Sequence, residues 1–142
     1  MSRLFFDSSV LFSAAYSTRG HAYDLIRMAI RGELIAVVSS LVLTETRRNL
    51  AESAPECLVL LDYILNNVPF ELVRPTRREV VAATKYTALK DAPIAAAARK
   101  AKVDFLVTLN RKHLLGKPEL ARYVRAEIVT PKEAFVRLTR MN

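Results

Sequence analysis

Four polar side chains stand out, in four separated stretches of the chain. They are Asp7 in "RLFFDSS", Glu45 in "SSLVLTETRRNL", Asp91 in "LKDAPIAAAARK" and Asn110 in "DFLVTLNRKH". Asp7 is the most pointed case, because an apolar run that reads as a buried strand ends on a charge followed at once by two hydroxyls. A buried carboxylate is costly unless a cation or hydrogen-bond donors meet it, so Asp7 is either a turn cap or a ligand. The others have plain structural uses too: Asp91 as an N-cap, Glu45 as a solvated acid beside Arg48, Asn110 as a turn residue. Gathered in one place, however, three carboxylates repel and need compensation. A hard divalent cation that prefers oxygen ligands, Mg²⁺ or Mn²⁺, supplies it most simply.

The chemistry open to such a cluster is narrowed by what the chain lacks. Its three glycines form neither a G-x-G-x-x-G nor a G-x-x-x-x-G-K pattern, which argues against dinucleotide and ATP sites of those types. A phosphatase with a nucleophilic aspartate wants a second acid two residues on, and Ser9 stands there. Two histidines and one cysteine cannot build a structural zinc site of four such ligands. Metal-assisted phosphodiester hydrolysis is the chemistry left.

The elements must bring these residues together. Short apolar runs predict strands at 3–7, 34–39, 70–73, 104–109 and 127–130. Between them, helical spacing predicts a helix at "VLFSAAY" capped by Ser8 or Ser9, and one through Ala22, Leu25, Ile26 and Ala29 stopped by Gly32. Further helices run from Ser39 or Ser40 to about Leu50, from Pro55 to Asn66, from a Thr76 cap, from Asp91 with Pro93 in the first turn, and from Pro131. Strands alternating with helices, and strands apolar on both faces, argue for a parallel sheet covered on both sides. The expected fold is α/β: a three-layer α/β/α sandwich around a mostly parallel sheet of about five strands.

Ligands of open parallel sheets bind beyond the carboxyl ends of the strands. That rule sends Asp7, Glu45, Asp91 and Asn110 to one edge, and Asp104, which begins its strand, to the other. Glu71, Asp24, Asp62 and Glu133 read as structural.

The bulk numbers agree with a compact chain. It has 142 residues, 51% hydrophobic and 25% charged, enough for one domain over 1–142 without staples. Its lone Cys57 suits a reducing cytoplasm. No run reaches the roughly 18–20 apolar residues of a membrane helix. The N-terminus is a poor secretory leader, since Asp7 interrupts its apolar run and only Arg3 supplies a basic start. A net charge of +8 points to a polyanionic partner, nucleic acid or acidic protein.

"FFDSSVLFSAA", "SSLVLTETRRNL" and "DAPIAAAARKAKVDFLVTLNRKHLL", in that order, resemble a PIN domain, the nuclease fold of many prokaryotic toxin–antitoxin toxins. The likeness runs from about Leu4 to Pro131, and its specificity lies in the order and spacing of short motifs. It implies Mg²⁺- or Mn²⁺-dependent RNA cleavage and an antitoxin partner. By position it makes Asp7, Glu45 and Asp91 the family's acids and metal ligands, with Ser9 and Thr108 in support. The fourth acid of a "VT-x-D" pattern is Asn110 here, which can offer a carbonyl oxygen but no charge. Opposite charges about 4 Å apart interact by about 4 kcal/mol at an effective dielectric near 20, so this departure weakens the expected metal site. Arg47, Arg48, Lys90, Arg111 and Lys112 are expected to hold RNA phosphates, with His113 a phosphate contact or surface residue.

Two other readings remain at this level: a PIN-like module that binds RNA or protein without cutting, and a scaffold. A homodimer is expected, for which Leu58, Leu61 and Leu65 offer a face, although a core role is the commoner use of that spacing.

Overall fold

The structure, a computed structural model, describes residues 1–140. Five parallel strands form one sheet: β1 (Arg3–Phe6), β2 (Ile35–Ser39), β3 (Glu71–Val73), β4 (Phe105–Val107) and β5 (Glu127–Val129), in the order β3-β2-β1-β4-β5. The chain moves one way from β1 through β2 to β3, then returns to the other side of β1 for β4 and β5. The carboxyl ends of β1 and β4 therefore flank the switch point, where such sheets bind ligands.

The crossovers place the helices on opposite faces, as the right-handed rule for parallel strands requires when the chain reverses direction across a sheet. On one side pack α1 (Ser8–Tyr16), α2 (His21–Ile30), α3 (Ser40–Ser53), α4 (Leu58–Asn67) and α8 (Pro131–Arg140). On the other lie α5 (Arg77–Ala83), α6 (Ala92–Ala101) and α7 (Pro118–Val124). The three-layer α/β/α sandwich expected from the sequence is the fold observed. No helix among the described residues is long and apolar enough to cross a membrane.

Local chemistry accounts for most boundaries. Gly32, at a φ of 74°, ends α2, and the Glu33 N–H closes back on the Met28 carbonyl at 2.9 Å. Ser39 caps α3 through the Val42 N–H. Thr76 and Glu79 cap α5 reciprocally as a capping box. The first helix begins at Ser8 and is capped by Asp7, in keeping with the cap reading of that residue and not with a cap at Ser8 or Ser9. Asp7 outcompetes the serines because its carboxylate reaches the Ser8 N–H directly, at 2.7 Å. Pro55–Cys57 forms a 3₁₀ turn before α4 instead of its first helical turn. Helix α7 has no counterpart among the expected elements.

The core joins Leu4, Phe5 and Phe6 of β1 to Leu106 and Val107 of β4, with Leu11, Leu25, Ile26 and Leu50 above and the Ala95–Ala98 run of α6 below. Burying each large apolar side chain contributes roughly 1.5–3 kcal/mol. The Leu58–Leu61–Leu65 face belongs to this core: Leu61 is buried and the other two pack against it, so those leucines are not a free dimer face.

At the amino-terminal sheet edge Arg3 acts as a latch. Its guanidinium pairs with Glu71 and donates to the Ala101 carbonyl, while its N–H donates to Asp104 at 2.8 Å. Asp104 and Glu71 thus have the structural roles expected of them. So do Asp24, which faces Arg27, Asp62, which pairs with Arg47, and Glu133, which caps α8 with Thr130.

Candidate active site

The switch point is held by a small hydroxyl network around Asp7. Its Oδ1 accepts from the Ser8 N–H at 2.7 Å, and its Oδ2 accepts from Ser9 Oγ at 3.1 Å and Thr108 Oγ1 at 2.7 Å. Each hydroxyl also accepts from the segment after β4: Ser9 from the Leu109 N–H at 3.1 Å, Thr108 from the Asn110 N–H at 3.0 Å. The network ties the end of β1 to the end of β4 and fixes the carboxylate, which is only 6% exposed. Asp7 therefore fills the cap reading open in the sequence, and its carboxylate is fixed in place by hydrogen bonds.

Asp91 arrives from the other layer, at the end of the 3₁₀ turn Leu89–Asp91. It occupies the N-cap position of α6, yet its side chain makes no capping hydrogen bond. Instead the carboxylate meets the side chain of Asn110. Its Oδ1 accepts from Asn110 Nδ2 at 3.3 Å, and its Oδ2 is buried with no hydrogen-bond partner. Burial pushes the Asp91 carboxyl above its ordinary value, a shift that His113 and Lys90 oppose and Asp7 reinforces.

Glu45 reaches the same cleft from the second turn of α3. Desolvation raises its pKa first, then Asp7 and Asp91, with Arg48 acting against them. The charge of Asp7 thus bears on both other acids. They line a cleft of about 330 Å³ together with Ser9, Lys90, Asn110, Lys112 and His113.

Asn110 is oriented by its own turn. The His113 N–H, which can only donate, takes the side-chain oxygen at 3.0 Å. The amide NH₂ is left to face Asp91. Asn110 thus gives the cleft a donor in place of the carbonyl oxygen expected of it.

The cations divide. Lys90, Lys112 and His113 line the cleft, and Arg48 influences Glu45. Arg47 pairs with Asp62 at 3.0 Å and, with Arg48, borders a separate hollow beside Leu43 and Leu65. Arg111 is exposed beyond β4 and outside the cleft lining. His113, which the sequence leaves between phosphate contact and plain surface, is an integral part of the wall.

The donor set fits a hard cation, since it is all oxygen, negatively charged and includes an orphaned buried carboxylate oxygen. Even so, no three His, Cys, Asp or Glu side chains among the described residues are grouped closely enough to hold an ion.

No curated protein matches the chain in sequence. Three crystal structures share its fold at identities that speak to fold alone. PAE2754 from Pyrobaculum aerophilum has a TM-score of 0.66 at 19% identity, covering 98% of both chains. VapBC2 from Rickettsia felis, bound to a DNA fragment from their promoter, scores 0.63 at 16% identity over 90% of this chain and 98% of that one. FitAcB from Neisseria gonorrhoeae scores 0.60 at 15% identity over 91% and 98%. A PIN domain family model matches residues 3–112, a span that holds β1 to β4 and every acid of the cleft. The chain belongs to the PIN domain family.

Proposed function

We propose that the chain, one domain over residues 1–142, is a metal-dependent endoribonuclease and the toxin half of a cytoplasmic toxin–antitoxin pair. The observation that carries the reading is Asp91, whose Oδ2 is buried without a hydrogen-bond partner and which lines one cleft with Asp7 and Glu45. Membership of a family of nucleases supports it, as does the basic charge of the chain. Asp7, Asp91 and Glu45 would hold the ion, Mg²⁺ or Mn²⁺. When bound, such a cation acidifies water and neutralises phosphate charge. Ser9 and Thr108 keep Asp7 in place, Asn110 orients Asp91, and Lys90 and Lys112 hold the RNA backbone at the rim. The likeness to the folds of VapBC2 and FitAcB and the resemblance to PIN toxins support an antitoxin partner. A homodimer belongs to the same proposal and light scattering tests it, a monomer-only mass removing it.

The deciding experiment incubates structured and unstructured RNA with the protein and Mg²⁺, Mn²⁺ or chelator. Cleavage should need the metal, and Asp7→Asn should lower it by at least about a hundredfold, since losing even an outer-shell partner costs about 10–100-fold. Full activity in a folded Asp7→Asn protein would refute the assignment. The second reading, a module that binds RNA or protein without cutting, draws on the amide at Asn110 where the family pattern has an acid. Calorimetric titration separates the two, because the module should bind no Mn²⁺ at millimolar concentration.

A further inference from the structure

A second surface lies away from the acidic cleft, between α5, α6 and α7. Two adjoining hollows of about 690 and 490 Å³ share Arg99, Tyr123 and Arg125 and form one groove. Its floor is Ala82, Ala96 and Val103. Its walls carry Arg99, Lys100, Lys102, Arg122 and Arg125, against only two carboxylates, Glu79 and Glu119. Glu79 is already paired with Lys100 at 3.1 Å. Arg99 donates to the Tyr123 carbonyl and stacks over its ring, so it supports the wall. Lys102, Arg122 and Arg125 are exposed and take part in none of the seven ion pairs found among the described residues.

Two further features mark the groove. Lys102 and Arg125 end α6 and α7 with φ of 54° and 61°, and they are the two non-glycine residues at positive φ among those described. Both positions favour glycine, and both carry a long cation instead. Attraction to a helix carboxyl end accounts for a cation there, Arg122 in the last turn of α7 included, but not for the aromatic pair beside it. Tyr86 and Tyr123 stack at 4.3 Å with planes 17° apart, and Tyr86 is 45% exposed. An exposed stacked ring between unpaired cations is the arrangement that single-stranded nucleic acid uses, with bases on the π-face and phosphates on the cations. An acidic peptide would use the cations and leave the ring idle.

We propose that this groove binds single-stranded RNA outside the acidic cleft, with Tyr86 as a stacking platform and Lys102, Arg122 and Arg125 on the phosphates. Helix α6 links the two places: Asp91 precedes its first residue and Lys102 follows its last, about 17 Å apart at 1.5 Å per residue. The choice of RNA rests on the nuclease reading. The test is built so that the two fail separately.

Binding of a labelled, unstructured oligonucleotide of about 20 nucleotides is measured by anisotropy in chelator, where no cleavage occurs, across a range of salt. The double variant Arg122→Glu/Arg125→Glu should weaken binding by about tenfold or more. It should also flatten the slope of log K against log salt by about 0.7 for each phosphate that the protein no longer neutralises. Tyr86→Leu should weaken RNA by several-fold and leave binding of polyglutamate unchanged. Mn²⁺ affinity should stay at the wild-type value in both variants, which shows that the acidic cleft is intact. Unchanged RNA affinity in the double variant overturns the proposal. So does a loss of polyglutamate binding equal to that of RNA with no effect of Tyr86→Leu, which would make the groove a site for acidic protein. Groove-dependent binding without any metal-dependent cleavage would uphold the groove and defeat the nuclease instead.

Discussion

At the scale of single residues, the cleft turns on how Asn110 stands. Its oxygen is committed to the His113 N–H and its amide donates to Asp91, so it supplies part of the compensation that a cation would give. Asn110→Asp keeps the acceptor for His113 and replaces the donor by a carboxylate. Without metal this adds like charge beside an acid that burial already disfavours in its charged form, and the melting temperature should fall by a few degrees. With metal the added charge should tighten Mn²⁺ binding by about tenfold, since one close opposite charge is worth a few kcal/mol before screening, and cleavage should rise with it. Calorimetry and thermal melts on one preparation check both signs. Unchanged metal affinity would mean that residue 110 does not face the ion. The rotamer itself is not legible in the sequence, because it depends on a backbone N–H three residues on. The role of Asp91 is half legible: its place at a helix start can be read, but not that it leaves the cap unmade.

At the scale of elements, the strands and their order of use are largely legible, because fully buried parallel strands write continuous apolar runs such as "LIAVV" and "FLVTL". Helix α7 escapes such a reading although Pro118 at its first position, with Leu120 and Val124 one turn apart and buried, carries the signal. The segment is short and polar elsewhere, so it reads as loop. Arg47 shows the converse limit. It lies two residues from Glu45, which puts it on another face of α3, where it pairs with Asp62. The caps are mostly legible, and α5 gives a clean test. Its box joins Thr76 to Glu79, and Glu79 also meets Lys100 of α6. Thr76→Ala should cost about 1 kcal/mol by denaturant titration, with an unchanged m-value. A larger loss would show that α5 docks cooperatively with α6 through that cap.

At the scale of the whole molecule, the fold carries an electrostatic cost at its own switch point. Asp91 and Glu45 have carboxyls raised above their ordinary values, first by burial and then by neighbouring acids, Asp7 among them. In the folded state they bind protons more readily than in the unfolded chain, so the metal-free protein loses stability as pH rises through that window. Lowering the pH from 7 toward the ordinary carboxylate range near 4 should therefore stabilise the metal-free protein relative to Asp91→Asn, which lacks one of the two groups. Glu79 and Glu127 have lowered values through their bonds to Thr76 and Lys100 and to Arg137. Their contribution is present above the ordinary value and is lost only at more acid pH, so the two effects occupy different windows. A bound cation reverses the first effect. Saturation at about 100 times the dissociation constant adds about 2.7 kcal/mol, a rise of several degrees in melting temperature for a chain of this length. That gain should shrink as pH falls, because protons compete with the ion for the same oxygens. Melting curves with Mn²⁺ and with chelator, taken from pH 7 down to about 5, read both trends at once. If the metal increment were the same at both ends of that range, or survived in Asp91→Asn, the ion would be bound somewhere other than the acidic cleft.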